Sequence, residues 1–268
     1  MRLILADIDR TIMPFGDTVV PARVREAFRA AAEAGCAVGP CSGRGRDWIS
    51  ILFDGDEPCY QTNIATNGLQ VSYGGELVLE RHIPAEMVAR MAALTAEVPH
   101  AGLVWFDGAE PKVVAGDMED LKVAFPRYGA CGVYVPLPGH DVVKANAFVA
   151  GDDAATRELA ELLTREIPEL DFDVPQRGFV NIMPAGWNKG AAVLWLVDYL
   201  GVASQDVFVF GDAENDLSML RAVENSVAVA NATPDAAAAA RWHIGACEDF
   251  AVADAVEALA SGGFPFTE

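Results

Sequence analysis

Two aspartates one residue apart, Asp7 and Asp9, follow the short apolar run Leu3–Ala6. In an extended segment their side chains leave on the same side. Two carboxylates at the end of a buried strand repel one another unless something cationic sits between them. Ligands of open α/β sheets gather at the carboxyl ends of the strands. The pair therefore points to a divalent metal and an anionic substrate, with one carboxylate left free to attack. A solvated Asp-x-Asp turn is the plain alternative.

Two further strand ends carry polar residues. Residues 36–41 read as a short strand that runs into Ser42-Gly-Arg-Gly-Arg46 and then an apolar-faced helix. In that layout backbone N–H groups can hold a phosphate, and Ser42 can equally be a helix cap. Residues 206–210 read as a strand ending in Gly211-Asp-Ala-Glu-Asn-Asp216, which offers Asp212, Asn215 and Asp216. Oxygen donors without histidine or cysteine favour a hard ion such as Mg2+. Lys189 is notable for scarcity. Of the four lysines, Lys112, Lys122 and Lys144 lie in a middle segment of different texture, and only Lys189 stands in the flanks, at a helix start.

The elements that must position these groups alternate. Residues 1–80 and 186–268 repeat strand, helix, strand, which predicts a doubly wound parallel sheet, discontinuous in sequence. Residues 21–35 read as a helix with proline at its first turn and glycine closing it. A Gly74-Gly75 turn between 69–73 and 76–80 predicts a hairpin. Asn67-Gly68 reads as a turn with no chemistry of its own. Residues 81–185 mix helices with hairpin strands, and predict an inserted α+β domain. Residues 116–140 carry no clear periodicity.

Composition narrows the partners. Nineteen basic residues against 39 acidic ones give a formal charge of −20, which argues against nucleic acid and anionic membrane surfaces. An anionic substrate would need a local cation in that field. The five scattered cysteines show no zinc spacing and fit a reduced compartment. The N-terminal apolar run is too short for a signal peptide. A cytoplasmic protein is the expectation, with monomer and homodimer undecided.

In combination the motifs resemble the haloacid dehalogenase superfamily in its Cof-type sugar-phosphatase branch, over essentially the whole chain. Asp7-Ile-Asp-Arg-Thr11 resembles the first motif, Ser42-Gly-Arg44 the second and Asn188-Lys-Gly190 the third. Gly211-Asp-Ala-Glu-Asn-Asp216, followed by Leu217-Ser-Met-Leu220, resembles the fourth and most specific. The insert falls where that branch carries an α/β cap.

The resemblance implies a magnesium-dependent phosphatase of a small phosphorylated metabolite, foremost a sugar phosphate. Asp7 would be the nucleophile that becomes an aspartyl phosphate, and Asp9 the general acid and base. Mg2+ would sit on Asp7, the backbone carbonyl of Asp9, and Asp212. Ser42, Lys189 and Asn215 would hold phosphate oxygens, with Thr11 and Asp216 in support. The second aspartate disfavours the dehalogenase and ion-pump branches, because a sugar alkoxide needs an acid to leave. A phosphomutase and a catalytically idle phosphometabolite-binding protein are the alternatives. Arg10 stands where the family usually has glycine; it either points to solvent or meets a second anionic group of the substrate. Lys112, Lys122, Arg127, Lys144 and Arg177 are the insert's candidate specificity cations.

Overall fold

A computed structural model describes residues 1–266 and divides the chain into two compact units, 1–80 with 188–268, and 81–187. The first unit begins with β1 (Leu3–Ala6), α1 (Ala22–Glu33), β2 (Ala37–Pro40), α2 (Arg46–Leu52), β3 (Asn63–Ala65), β4 (Gln70–Tyr73) and β5 (Glu76–Glu80). The insert supplies α3 (Ala85–Ala96), β6 (Ala101–Asp107), β7 (Glu110–Ala115), α4 (Met118–Ala124), α5 (Pro126–Cys131) and β8 (Val133–Tyr134). It continues with β9 (Ala145–Val149), α6 (Asp153–Glu166), β10 (Leu170–Gln176) and β11 (Phe179–Pro184). The chain then returns through α7 (Lys189–Leu200), β12 (Val207–Gly211), α8 (Leu217–Ala222) and β13 (Asn225–Ala228). It closes with α9 (Pro234–Ala239), β14 (Trp242–His243) and α10 (Ala251–Ala260).

In the first unit five strands form a parallel sheet in the order β14-β13-β12-β1-β2. The interior strand β1 is buried along its whole length, which is why it reads as an unbroken apolar run rather than an alternation. Ile4 and Ala6 enter a cluster with Phe28, Phe208, Phe210 and Val256, in which α1 and α10 cover the sheet. By the period of a strand, Leu3 and Leu5 face the other side.

Register is what brings the chemistry together. Ala6 lies opposite Phe210 on one side and Pro40 on the other, so three parallel strands end level. The residues at or just beyond these ends, Asp7, Cys41-Ser42 and Gly211-Asp212, emerge at one edge. Asp7 N–H is in turn held by the Phe210 carbonyl at 2.9 Å.

The second unit carries a six-stranded sheet, β10-β11-β9-β6-β7-β8, antiparallel except where β8 joins β7. Its core includes Val104, Phe106, Tyr128, Phe148 and Phe179. The hairpin at Gly74-Gly75 forms as the spacing predicts, and β3 joins it in a separate three-stranded antiparallel sheet. Among the described residues no helix is long and apolar enough to cross a membrane.

Candidate active site

Lys189 is the first residue of α7 and is wholly buried. An ammonium at a helix N-terminus faces the positive end of the helix dipole, so its place there needs compensation. Its Nζ donates to Asp7 Oδ1 and to Asp216 Oδ1, each at 2.6 Å. Burial alone would lower the lysine's pKa, but Asp216 and Asp7 outweigh it and hold the ammonium charged. Gly190 makes the close seat possible. A side chain there would meet the Ser218 carbonyl oxygen at 2.4 Å, and its N–H instead reaches Ser218 Oγ at 3.1 Å.

Asp216 supports this group with both of its carboxylate oxygens. Its Oδ2 accepts the N–H groups of Asp212 (2.9 Å) and Ala213 (3.2 Å), tying off its own turn, while Oδ1 takes the lysine. Asp212 is 1% exposed, and its Oδ1 accepts the Thr11 hydroxyl at 2.9 Å. The second oxygens of Asp7 and Asp212 accept no hydrogen bond from the described residues.

The charge balance of the site is uneven. Asp7, Asp212 and Asp216, all buried, each offer an oxygen within 4.8 Å of the others. One ammonium faces three carboxylates. Burial raises Asp7 well above the usual carboxylate range, with Lys189 opposing and Asp216, Asp212 and Asp9 reinforcing. Burial and the neighbouring Asp216 push Asp212 up to about 6, although Thr11, Arg10 and Lys189 pull the other way. Such a group fits a hard divalent cation: the donors are oxygens, two of them open, and the excess charge is negative. Asp7 and Asp212 are the side chains that would hold Mg2+.

The other residues singled out by sequence fall around this group. Ser42 is 1% exposed, and its Oγ accepts the Arg44 N–H at 3.2 Å. It caps no helix, because α2 starts after Gly45 without a side-chain cap; that reading of Ser42 is set aside. Asn215 is half-buried on the turn between Asp212 and Asp216. The Asp9 carboxylate lies outside the three-aspartate group. Arg44 grips it with both ends, Nε to Oδ2 at 2.9 Å and Nη2 to Oδ1 at 2.6 Å, and 45% of the Asp9 side chain stays exposed. This fork-to-fork pairing was invisible in the spacing.

Arg10 is exposed with φ +65°, and Asn231 Nδ2 donates to its carbonyl at 2.7 Å. A left-handed backbone explains why glycine suits that position. In the insert, Lys112 pairs with Glu110 at 2.7 Å, Lys122 with Glu119 at 2.6 Å, and Arg177 donates to the Gly151 carbonyl. Lys144 lies over the Phe106 ring at 4.8 Å, and Arg127 is exposed.

Comparison with known proteins extends the picture. Residues 4–256 match the family described as haloacid dehalogenase-like hydrolase. A 5-amino-6-(5-phospho-D-ribitylamino)uracil phosphatase of Bacillus subtilis is 25% identical over 98% of this chain and 100% of its own. A phosphoglycolate phosphatase of Pyrobaculum neutrophilum is 32% identical over 66% of this chain and 75% of its own. In fold, a sugar phosphatase of HAD subclass IIB is similar at TM-score 0.80 and 22% identity, covering 97% of this chain and 99% of the other. A HAD/COF-like hydrolase of Plasmodium vivax reaches 0.82 at 22% identity, covering 97% and 96%.

Proposed function

The chain belongs to the haloacid dehalogenase-like hydrolases, and from that premise we propose that it is a magnesium-dependent phosphatase of small phosphorylated metabolites, foremost a sugar phosphate, acting through an aspartyl phosphate on Asp7. The observation that carries the reading is the buried cluster of Asp7, Asp212 and Asp216, two of which share the single ammonium of Lys189, short of positive charge at the ligand-binding edge of a parallel sheet.

In this reading Asp7 attacks phosphorus with a carboxylate oxygen as the bond to the alcohol breaks. Asp9 gives its proton to the departing alkoxide, then takes one from the water that attacks the aspartyl phosphate, which frees inorganic phosphate and restores Asp7. In the resting site Arg44 engages both Asp9 oxygens, so one of them must leave the guanidinium before Asp9 can carry the proton, and 45% of the Asp9 side chain is exposed for that rearrangement. Lys189, Ser42 and Asn215 hold phosphate oxygens, and Thr11 orients Asp212. A bound Mg2+ on Asp7 and Asp212 would neutralise phosphoryl charge. Positioning and charge neutralisation are the main demands of phosphoryl transfer.

The two relatives are named for a phosphorylated ribityl compound and for phosphoglycolate, which supports a small, polar phosphoester as substrate. The test is a phosphate-release screen over sugar phosphates, phosphoglycolate and flavin and pyridoxal phosphates, with and without Mg2+ and with Asp7→Asn as the blank. Metal-dependent release absent from the blank is expected. Binding without release points to an idle binder, and isomer formation without release points to a mutase; either overturns the reading.

A further inference from the structure

The Asn67-Gly68 dipeptide has the signature of an ordinary turn, and Thr66 and Asn67 are only 4% and 5% exposed. Three successive residues take left-handed backbone, with φ of +53° at Thr66, +53° at Asn67 and +103° at Gly68. That region crowds the Cβ of any L residue, and a β-branched threonine is among the least suited to it. Strained backbone survives only where its surroundings impose it, and it clusters at functional sites.

What surrounds this turn is the catalytic edge. Thr66 N–H donates to the Arg44 carbonyl at 2.8 Å and Asn67 N–H to the Ser42 carbonyl at 3.0 Å, while Ser42 N–H returns to Ile64 at 2.8 Å. The backbone on either side of Gly43 is thereby held. The Asn67 amide lies against Gly43, where a methyl group would sit 3.0 Å from Oδ1. On the other flank, a side chain at Gly68 would meet the Asn188 carbonyl oxygen at 2.7 Å and Ala192 Cβ at 2.9 Å. Asn188 caps the helix that begins with Lys189. Asn67 Oδ1 is also buried without a hydrogen-bond partner, a costly choice if packing alone were required.

We propose that Thr66–Gly68 is a positioning element, with Asn67 its positioning residue, that sets the loop bearing Ser42 and Arg44 against the helix start bearing Lys189. The claim rests on the phosphatase reading of that edge. Its action is indirect: it fixes the distance between the Ser42 hydroxyl, the Arg44–Asp9 pair and the Lys189–Asp7 pair.

Two variants separate this from mere structural support. Asn67→Gly tolerates left-handed backbone and removes only the amide; Thr66→Gly relaxes the strained torsion. Each is assayed with p-nitrophenyl phosphate and Mg2+, inorganic phosphate as inhibitor, and thermal unfolding. Both variants should lose about tenfold or more in kcat, since small misplacements of reacting groups are that costly. Both should also be inhibited more weakly by phosphate, with Tm near or above the wild type. Unchanged kcat and phosphate inhibition overturn the proposal, as do losses that appear only in step with a falling Tm. If Asn67→Gly does not fold, Thr66→Gly decides alone. A wild type that hydrolyses nothing overturns the phosphatase reading instead. Calorimetric binding of inorganic phosphate then decides the positioning claim: weaker binding in the variants supports it, and equal binding overturns it.

Discussion

Lys189→Met takes the ammonium out of the buried carboxylate group while keeping most of the side chain's volume. In the wild type that ammonium makes two ion pairs at 2.6 Å, with Lys189 and Asp216 fully buried and Asp7 nearly so. Deleting one partner of a buried pair leaves the other charged and desolvated, at a cost of about 3–5 kcal/mol. For a chain of this size each kcal/mol lowers Tm by roughly 2–4 °C, so without metal at about pH 8 the first unit should lose on the order of 6–20 °C. The deficit has a pH signature. Asp7 and Asp212 already sit above their ordinary pKa, Asp212 at about 6, and losing the lysine raises Asp7 further. Lowering the pH protonates them in the folded state and removes the uncompensated charge, so the gap between variant and wild type should narrow towards about pH 5. Mg2+ supplies the missing positive charge and should raise the variant's Tm more than the wild type's. Phosphate release should nevertheless collapse in the variant, because the metal does not replace the lysine on the phosphate. Calorimetric unfolding across pH, with and without Mg2+, reads all of this. A variant as stable as the wild type in metal-free buffer at high pH would refute the charge balance argued for the site.

Two further outcomes follow from the same geometry. In the metal-free wild type, Asp212 goes from 3.8 unfolded to about 6 folded, so the folded state binds the extra proton. Stability should fall as pH rises through that window, by an order of 3 kcal/mol at most, and Mg2+ should restore it; the Tm gain on adding Mg2+ should therefore be larger above pH 6 than below. In a single turnover, Asp9→Asn should slow release of the alcohol from alkyl phosphates by about 10²–10⁴-fold but release of nitrophenolate from p-nitrophenyl phosphate far less, since nitrophenolate leaves without a proton, while the later attack of water slows for both. Equal slowing of the two release steps would remove Asp9 from the acid role.

How far the chain could be read without coordinates depends on where each partner lies. β1 was legible because a strand buried on both faces writes itself as an unbroken apolar run, and Leu3–Ala6 forms as that run predicts. The Gly74-Gly75 hairpin was legible because its turn is local. Residues 116–140 were not: α4, α5 and β8 are short, and Phe125 and Tyr128 serve an aromatic cluster, stacked on each other at 4.1 Å and reaching Phe179. Such packing leaves no period in the sequence. At the site, Asp7 and Lys189 could be named from motif and scarcity. The Arg44 grip on Asp9 could not, because nothing in spacing says which guanidinium will reach which carboxylate. Asp216 could be read only as a support, for a different reason. Its bonds to Asp212 and Ala213 close its own turn, a local pattern that reads as support until the lysine is seen on its other oxygen. Asn67-Gly68 forms the turn its signal predicts, but that signal does not tell that the turn is buried or that Thr66 shares its left-handed backbone.

The most direct test of the central claim is rapid-quench peptide mapping by mass spectrometry during turnover of the best substrate with Mg2+. A phosphoryl adduct on the peptide carrying Asp7, formed and lost at rates compatible with kcat and absent in Asp7→Asn, is the predicted result. Full phosphate release from Asp7→Asn, or turnover with the adduct on another residue, would contradict it.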